Sequence, residues 1–118
     1  RRVLFRSCMV AKVETSDRPL IVGAAWARIF PRSATGYGTI DTATPEVSIS
    51  LFPDWRDQGI GRRLMTALLN RLRIDSRTAA SLSVQRTNAN ALHLYESLGF
   101  TTISEHDGEL VMCKSLAV

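Results

Sequence analysis

The hydrophobic pattern of this chain changes period at residue 53. Before it, Glu46 to Phe52 alternates Val47, Ile49 and Leu51 with Ser48 and Ser50, the period of two that predicts a strand with unequal faces. Pro53 stops that strand. After it, from Gly59 to about Asp75, the period is helical: at 100° per residue, Ile60, Leu64, Met65, Ala67, Leu68, Leu69 and Leu72 share one arc of roughly 200°. Arg62, Arg63, Thr66, Asn70 and Arg73 take the other side. A strand therefore runs through a short turn into a helix that must be laid on a sheet.

The flanking segments extend this frame. Cys8 to Glu14 and Leu20 to Phe30 are apolar and β-branched-rich around Thr15-Ser16-Asp17-Arg18-Pro19, which predicts a hairpin ended by Pro31. Residues 32–45, with Gly36-Tyr37-Gly38, read as a loop. Ala80 to Arg86 sets Leu82 and Val84 against Ser81, Ser83 and Gln85, a further strand. A second helix is predicted from Asn88 to Leu98, with Ala91, Leu94, Tyr95 and Leu98 at helical spacing and Gly99 in the left-handed position beyond its end. Phe100 to His106 and Glu109 to Leu116 flank Asp107-Gly108, a strong hairpin signal. The predicted order is β-β-β-α-β-α-β-β, an α/β fold, and 118 residues make one domain.

Several function classes drop out. The longest nearly apolar run, Leu20 to Ala27, is far short of the roughly 20 residues a membrane helix needs. Two cysteines, Cys8 and Cys113, do not make a disulfide framework; both sit in apolar runs typical of buried strands, so free thiols and a cytoplasmic protein are expected. Neither cysteine falls at metal-site spacing with His93 or His106, and no metal is expected. The net charge, 15 − 11 = +4, comes without a Lys/Arg block longer than two, so a solvated surface accounts for it and no nucleic acid is expected.

The chemistry points to Arg56-Asp57-Gln58-Gly59-Ile60-Gly61-Arg62-Arg63, between the strand and the helix. Two glycines let the backbone turn with its N–H groups exposed, where a plain tight turn needs one. Arginines in a first helical turn oppose the macrodipole by about 0.3 to 1 kcal/mol each, a sign that a bound anion reverses. With Arg56 they describe a pyrophosphate site. It is not a Walker A loop, because Gly61 is followed by Arg62-Arg63 instead of Lys-Ser/Thr. Nor is it a dinucleotide fingerprint: the third glycine is replaced by Leu64, and Ala79 and Ala80 stand where an acidic residue belongs.

Arg56-Asp57-Gln58-Gly59-Ile60-Gly61 resembles the Gln/Arg-x-x-Gly-x-Gly/Ala hallmark of the GNAT superfamily of acyl-CoA-dependent N-acyltransferases. Asn88, Ala91, Leu94-Tyr95 and Leu98-Gly99-Phe100 match a second block of that family, and Leu110-Val111-Met112 resembles its last strand. The resemblance covers about Cys8 to the C-terminus. It implies a mixed, mostly antiparallel sheet whose two central strands splay, with flanking helices. It also implies acetyl-CoA as co-substrate and direct transfer to an amine, on a small molecule or a peptide.

By the same resemblance, backbone N–H groups from Gln58 through Gly59, Ile60 and Gly61 to Arg62 would hold the CoA pyrophosphate, with Arg56 nearby and Arg62 or Arg63 at the nucleotide phosphates. The pantetheine amides would pair with backbone at Leu51 and Phe52 and with the Asn88 side chain, for which the alternative is a helix N-cap, a role open equally to Thr87. A backbone N–H near Leu51 would face the acetyl oxygen. Tyr95 would be the acid for the departing thiolate, against a core aromatic as the alternative. Glu46 would be the base through a water, against an exposed strand-end glutamate as the alternative, with Asp54 in reserve. His93, opposite the apolar stripe, reads as solvated, and Gly36-Tyr37-Gly38 as a turn.

Residues 1–7, opening without Met, read as a non-native leader, and 8–118 as a domain lacking the family's first strand and first two helices. Two rivals remain. A non-catalytic acyl-CoA-binding domain would share the fold, and a homodimer is open to either. A basic RNA-binding module would want a cation at Thr35 and aromatics near Ile40 and Thr42, which are absent.

Overall fold

The computed structural model describes residues 5–29 and 44–117. Its elements follow the expected order: β1 (Phe5–Val13), β2 (Leu20–Ile29), β3 (Glu46–Leu51), α1 (Ile60–Ile74), β4 (Ala79–Gln85), α2 (Ala89–Ser97), β5 (Thr101–His106) and β6 (Glu109–Ser115). The strands form one sheet ordered β1-β2-β3-β4-β6-β5. All neighbours are antiparallel except β3 and β4, which meet as a parallel pair only where Glu46 lies opposite Ser81. Beyond that contact the facing edges of β3 and β4 carry main-chain groups with no strand partner among the described residues, while β2 and β6 hold the outer edges in register.

The helical stripe read from the sequence is the face that α1 buries, except at Ala67, which is exposed. Leu64, Met65, Leu68, Leu69 and Leu72 pack with Ala25 and Ala27 of β2, Val47 of β3 and Leu82 and Val84 of β4. Small residues on β2 let neighbouring groups come close. At Gly23, a Cβ would stand 2.4 Å from Leu51 Cδ2 and 2.8 Å from the Ser50 carbonyl oxygen, so this glycine fixes how β3 lies against β2. The turn residues behave as their chemistry requires. Asp107 (φ 50°) and Gly108 (φ 82°) make the two left-handed steps of the β5–β6 hairpin, and Gly99 (φ 98°) ends α2.

β1 starts at Phe5, opposite Ile29, and so takes in Phe5, Arg6 and Ser7. One expectation needs correction. Cys8 is exposed, because β1 is an edge strand with one solvated face; both thiols are free. Ser81 is fully buried, because β4 is central in the sheet, and its hydroxyl donates to the Pro45 carbonyl. The Gly36-Tyr37-Gly38 segment lies outside the described residues. No helix among the described residues is long and apolar enough to cross a membrane.

Candidate active site

Between β3 and α1 the chain makes a short 3-10 turn at Pro53–Trp55, then two left-handed steps at Asp57 (φ 61°) and Gly59 (φ 80°). Gly59 is the N-cap of α1, and no side chain caps that end. The Arg63 amide donates to the Gly59 carbonyl at 3.2 Å. The amides of Ile60, Gly61 and Arg62 therefore precede any intrahelical acceptor and carry the positive end of the helix dipole. A Cβ at Gly59 would meet nothing within 4 Å, so this end of the helix is open.

The parting of β3 and β4 leaves a cleft of about 550 Å³. One wall is Ile49, Ser50 and Leu51 of β3; the mouth is Arg56, Asp57, Gly59, Gly61 and Arg62; the opposite wall is α2, from Asn88 to Tyr95. The structure thus brings Leu51, Arg56, Gly59, Gly61, Arg62, Asn88 and Tyr95 to one place.

Five other candidates stand apart. Glu46 is at the closed end of the V, half-buried, next to Arg28 in the β2–β3 register, and does not line the cleft. Phe52 has its amide on the Val22 carbonyl and its carbonyl on the Trp55 amide, both 2.9 Å, so its backbone is engaged within the fold and not toward the cleft. Gln58 turns its side chain back to the Asp54 carbonyl (3.1 Å), and Ile60 packs on the core; neither side chain lines the cleft. Asp54 is exposed in the 3-10 turn and outside the cleft wall.

Asn88 and Tyr95 both serve the fold and both border the cleft. Asn88 caps α2, its Oδ1 accepting from the Ala91 amide at 3.2 Å, which leaves its amide NH₂ for a ligand. Thr87 is not the cap. Tyr95 is buried, edge-on to Phe100 with ring centroids 6.1 Å apart, and also lines the cleft. Burial raises its pKa above the ordinary tyrosine value, so its hydroxyl holds its proton at neutral pH.

The arginine pair is divided by the helix. Arg62 lines the cleft; Arg63 lines a separate groove with Met9, Lys12 and Val13 of β1. Arg62 Nη2 donates to Ser97 Oγ at 2.6 Å, in the last turn of α2, where a cation suits the negative dipole end. A positive charge at the start of α1 thus has an intramolecular partner, while the first amides of the helix have no capping side chain. Arg56 Nε donates to the Leu51 carbonyl at 3.3 Å. His93 is exposed, as its place opposite the apolar stripe implied, and with Asn90 it lines the cleft from the polar side of α2; the sequence signalled neither that lining nor the left-handed Asp57. No cluster of three metal-ligating side chains occurs among the described residues.

The sequence model described as the Acetyltransferase (GNAT) family matches residues 4–100. The chain is 36% identical over 87 residues to a mycothiol acetyltransferase of Rhodococcus opacus (strain B4), covering 73% of this chain and 27% of that protein. It is 42% identical over 53 residues to the [ribosomal protein bS18]-alanine N-acetyltransferase of Escherichia coli (strain K12), covering 45% of this chain and 36% of that protein. Among solved structures, it superposes with a TM-score of 0.66 and 24% identity on a phosphinothricin acetyltransferase from Sinorhizobium meliloti in complex with AcCoA, covering 82% of this chain and 55% of that one. The chain spans less than a third of the length of the mycothiol acetyltransferases it matches.

Proposed function

The chain belongs to the Acetyltransferase (GNAT) family, and on that premise we propose that it transfers an acetyl group from acetyl-CoA to an amine by direct attack. The observation that carries this reading is the juxtaposition of an uncapped helix N-terminus with two parted strands and a buried tyrosine around one cleft. Acetyl-CoA supplies the activated thioester. The amides of Ile60, Gly61 and Arg62 bind its pyrophosphate, and Arg62 adds a cation. The free main-chain edge of β3, with Leu51, and the Asn88 NH₂ take the pantetheine amides as an added strand would. Arg56 must release the Leu51 carbonyl if that group is used. Tyr95 donates its hydroxyl proton toward the departing sulfur. Glu46, at the closed end of the V, accepts the amine proton through water.

The acceptor is an amine on a small molecule or a peptide; one relative is named for a ribosomal protein's alanine. The reading needs no metal ion, sets the chain in the cytoplasm, and is compatible with a homodimer.

Thermal unfolding tests the donor. Acetyl-CoA at about 100 times its dissociation constant should stabilise by about 2.7 kcal/mol, and coupled thiol release should follow with N-terminal-alanine peptides or free L-amino acids. An unchanged midpoint at millimolar acetyl-CoA overturns the reading. A shift without transfer to any amine reduces the chain to an acyl-CoA binder.

A further inference from the structure

Ser97, the last residue of α2, is exposed and outside the cleft wall, yet its hydroxyl is used twice. Oγ donates to the Leu94 carbonyl at 2.7 Å and accepts from Arg62 Nη2 at 2.6 Å. We propose that Ser97 is a positioning residue that holds the Arg62 guanidinium at the cleft mouth, ready for a phosphate of the acyl donor.

This rests on the acetyl-CoA reading. The Ser97 proton is spent on the carbonyl of its own helix, so an oxygen lone pair faces the guanidinium. The bond takes one of the five N–H donors of Arg62 and leaves the others for an anion. An unbound arginine loses much rotamer freedom when it grips a ligand; one already tethered to α2 loses less. Arg63, on the other side of α1, has no such tether to α2 and borders a different groove. The relay also joins the two sides of the cleft, because Leu94 precedes Tyr95.

Calorimetry on the 118-residue chain with two probes tests it: CoA, and pantetheine, which lacks the nucleotide and phosphates. Arg62→Ala should weaken CoA by about tenfold, the worth of one charge-assisted hydrogen bond, and leave pantetheine unchanged. Ser97→Ala should weaken CoA severalfold, again without touching pantetheine. The double variant should be no worse than Arg62→Ala, and Ser97→Thr should restore binding. Equal losses for both probes in Ser97→Ala would mean a structural role and overturn the proposal, as would an unchanged CoA affinity. Wild-type chain that binds neither probe overturns the acetyl-CoA reading itself.

Discussion

The N-terminus of α1 starts at Gly59 with φ 80° and no side-chain cap, while that of α2 starts at Asn88, whose side chain accepts from the Ala91 amide. Both ends border the same cleft. The capped end satisfies one of its orphan amides internally, which is worth about 1 kcal/mol to the helix. The uncapped end forgoes that and keeps its amides for an outside acceptor. One helix thus starts with its first amides unbonded, as the proposed anion site requires, and the other starts capped and carries Tyr95 against Phe100.

The contrast breaks most sharply at Gly59. A β-branched residue resists positive φ, and holding one there costs about 1–3 kcal/mol. Gly59→Val should therefore lower the melting midpoint and weaken CoA by more than a hundredfold as the amides lose alignment. Gly61→Ala is the internal control. Gly61 is helical, and a Cβ there would meet Ile49, Leu94 and Leu51 at ordinary distances of 3.5 to 3.6 Å, so binding and stability should change little. Calorimetry and thermal denaturation of both variants decide the matter. Equal losses would place the constraint in packing at both glycines and leave the anion site without support.

This difference between two glycines separated by one residue was not legible in the sequence. The Arg56 to Gly61 motif located the turn, but spacing cannot say which glycine takes the left-handed step and which lies beneath the helix against β3. The elements were legible because their signals are local: the change of period at Pro53, the stripe of α1, and the turn chemistry of Gly99 and Asp107-Gly108. What escaped depends on neighbours distant in sequence. The Phe52 amide is taken by the Val22 carbonyl, thirty residues earlier. Arg62 finds Ser97, thirty-five residues later. His93 is exposed as its place opposite the stripe implied, but a stripe that only separates apolar from polar does not show that the polar side of α2 borders a cleft.

On the α2 side, Tyr95→Phe keeps the ring against Phe100 and removes only the hydroxyl. Acid catalysis by one side chain commonly contributes about 10² to 10⁴. A thiol with a pKa of about 8.5 leaves readily as the anion, so kcat should fall by about a hundredfold or less, with KM for acetyl-CoA unchanged. The sign of the pH effect follows from burial. The folded-state pKa of Tyr95 is raised, so the stability tied to its neutral form is complete below the unfolded value of about 10 and is lost as pH rises through the folded value. Wild-type chain should lose stability faster than Tyr95→Phe above that pH, measured by denaturant titration. Wild-type kcat in the variant would make Tyr95 a core aromatic and leave solvent as the proton source.

The smallest expected effect separates the two halves of Asn88. Its oxygen caps α2, and its NH₂ is the group proposed for pantetheine. Asn88→Asp keeps an oxygen for the Ala91 amide and puts a negative charge at a helix N-terminus, where it is favoured, so stability should hold or rise slightly. A carboxylate cannot donate, so a pantetheine carbonyl would lose its partner, costing about three- to tenfold in affinity. Asn88→Ala removes both groups: it should lose about 1 kcal/mol of stability and the same affinity. Acetyl-CoA titrations and denaturant curves on the pair read the two roles separately. If the aspartate binds like wild type, Asn88 is a cap only, and α2 then meets the donor through Tyr95 without holding its pantetheine arm.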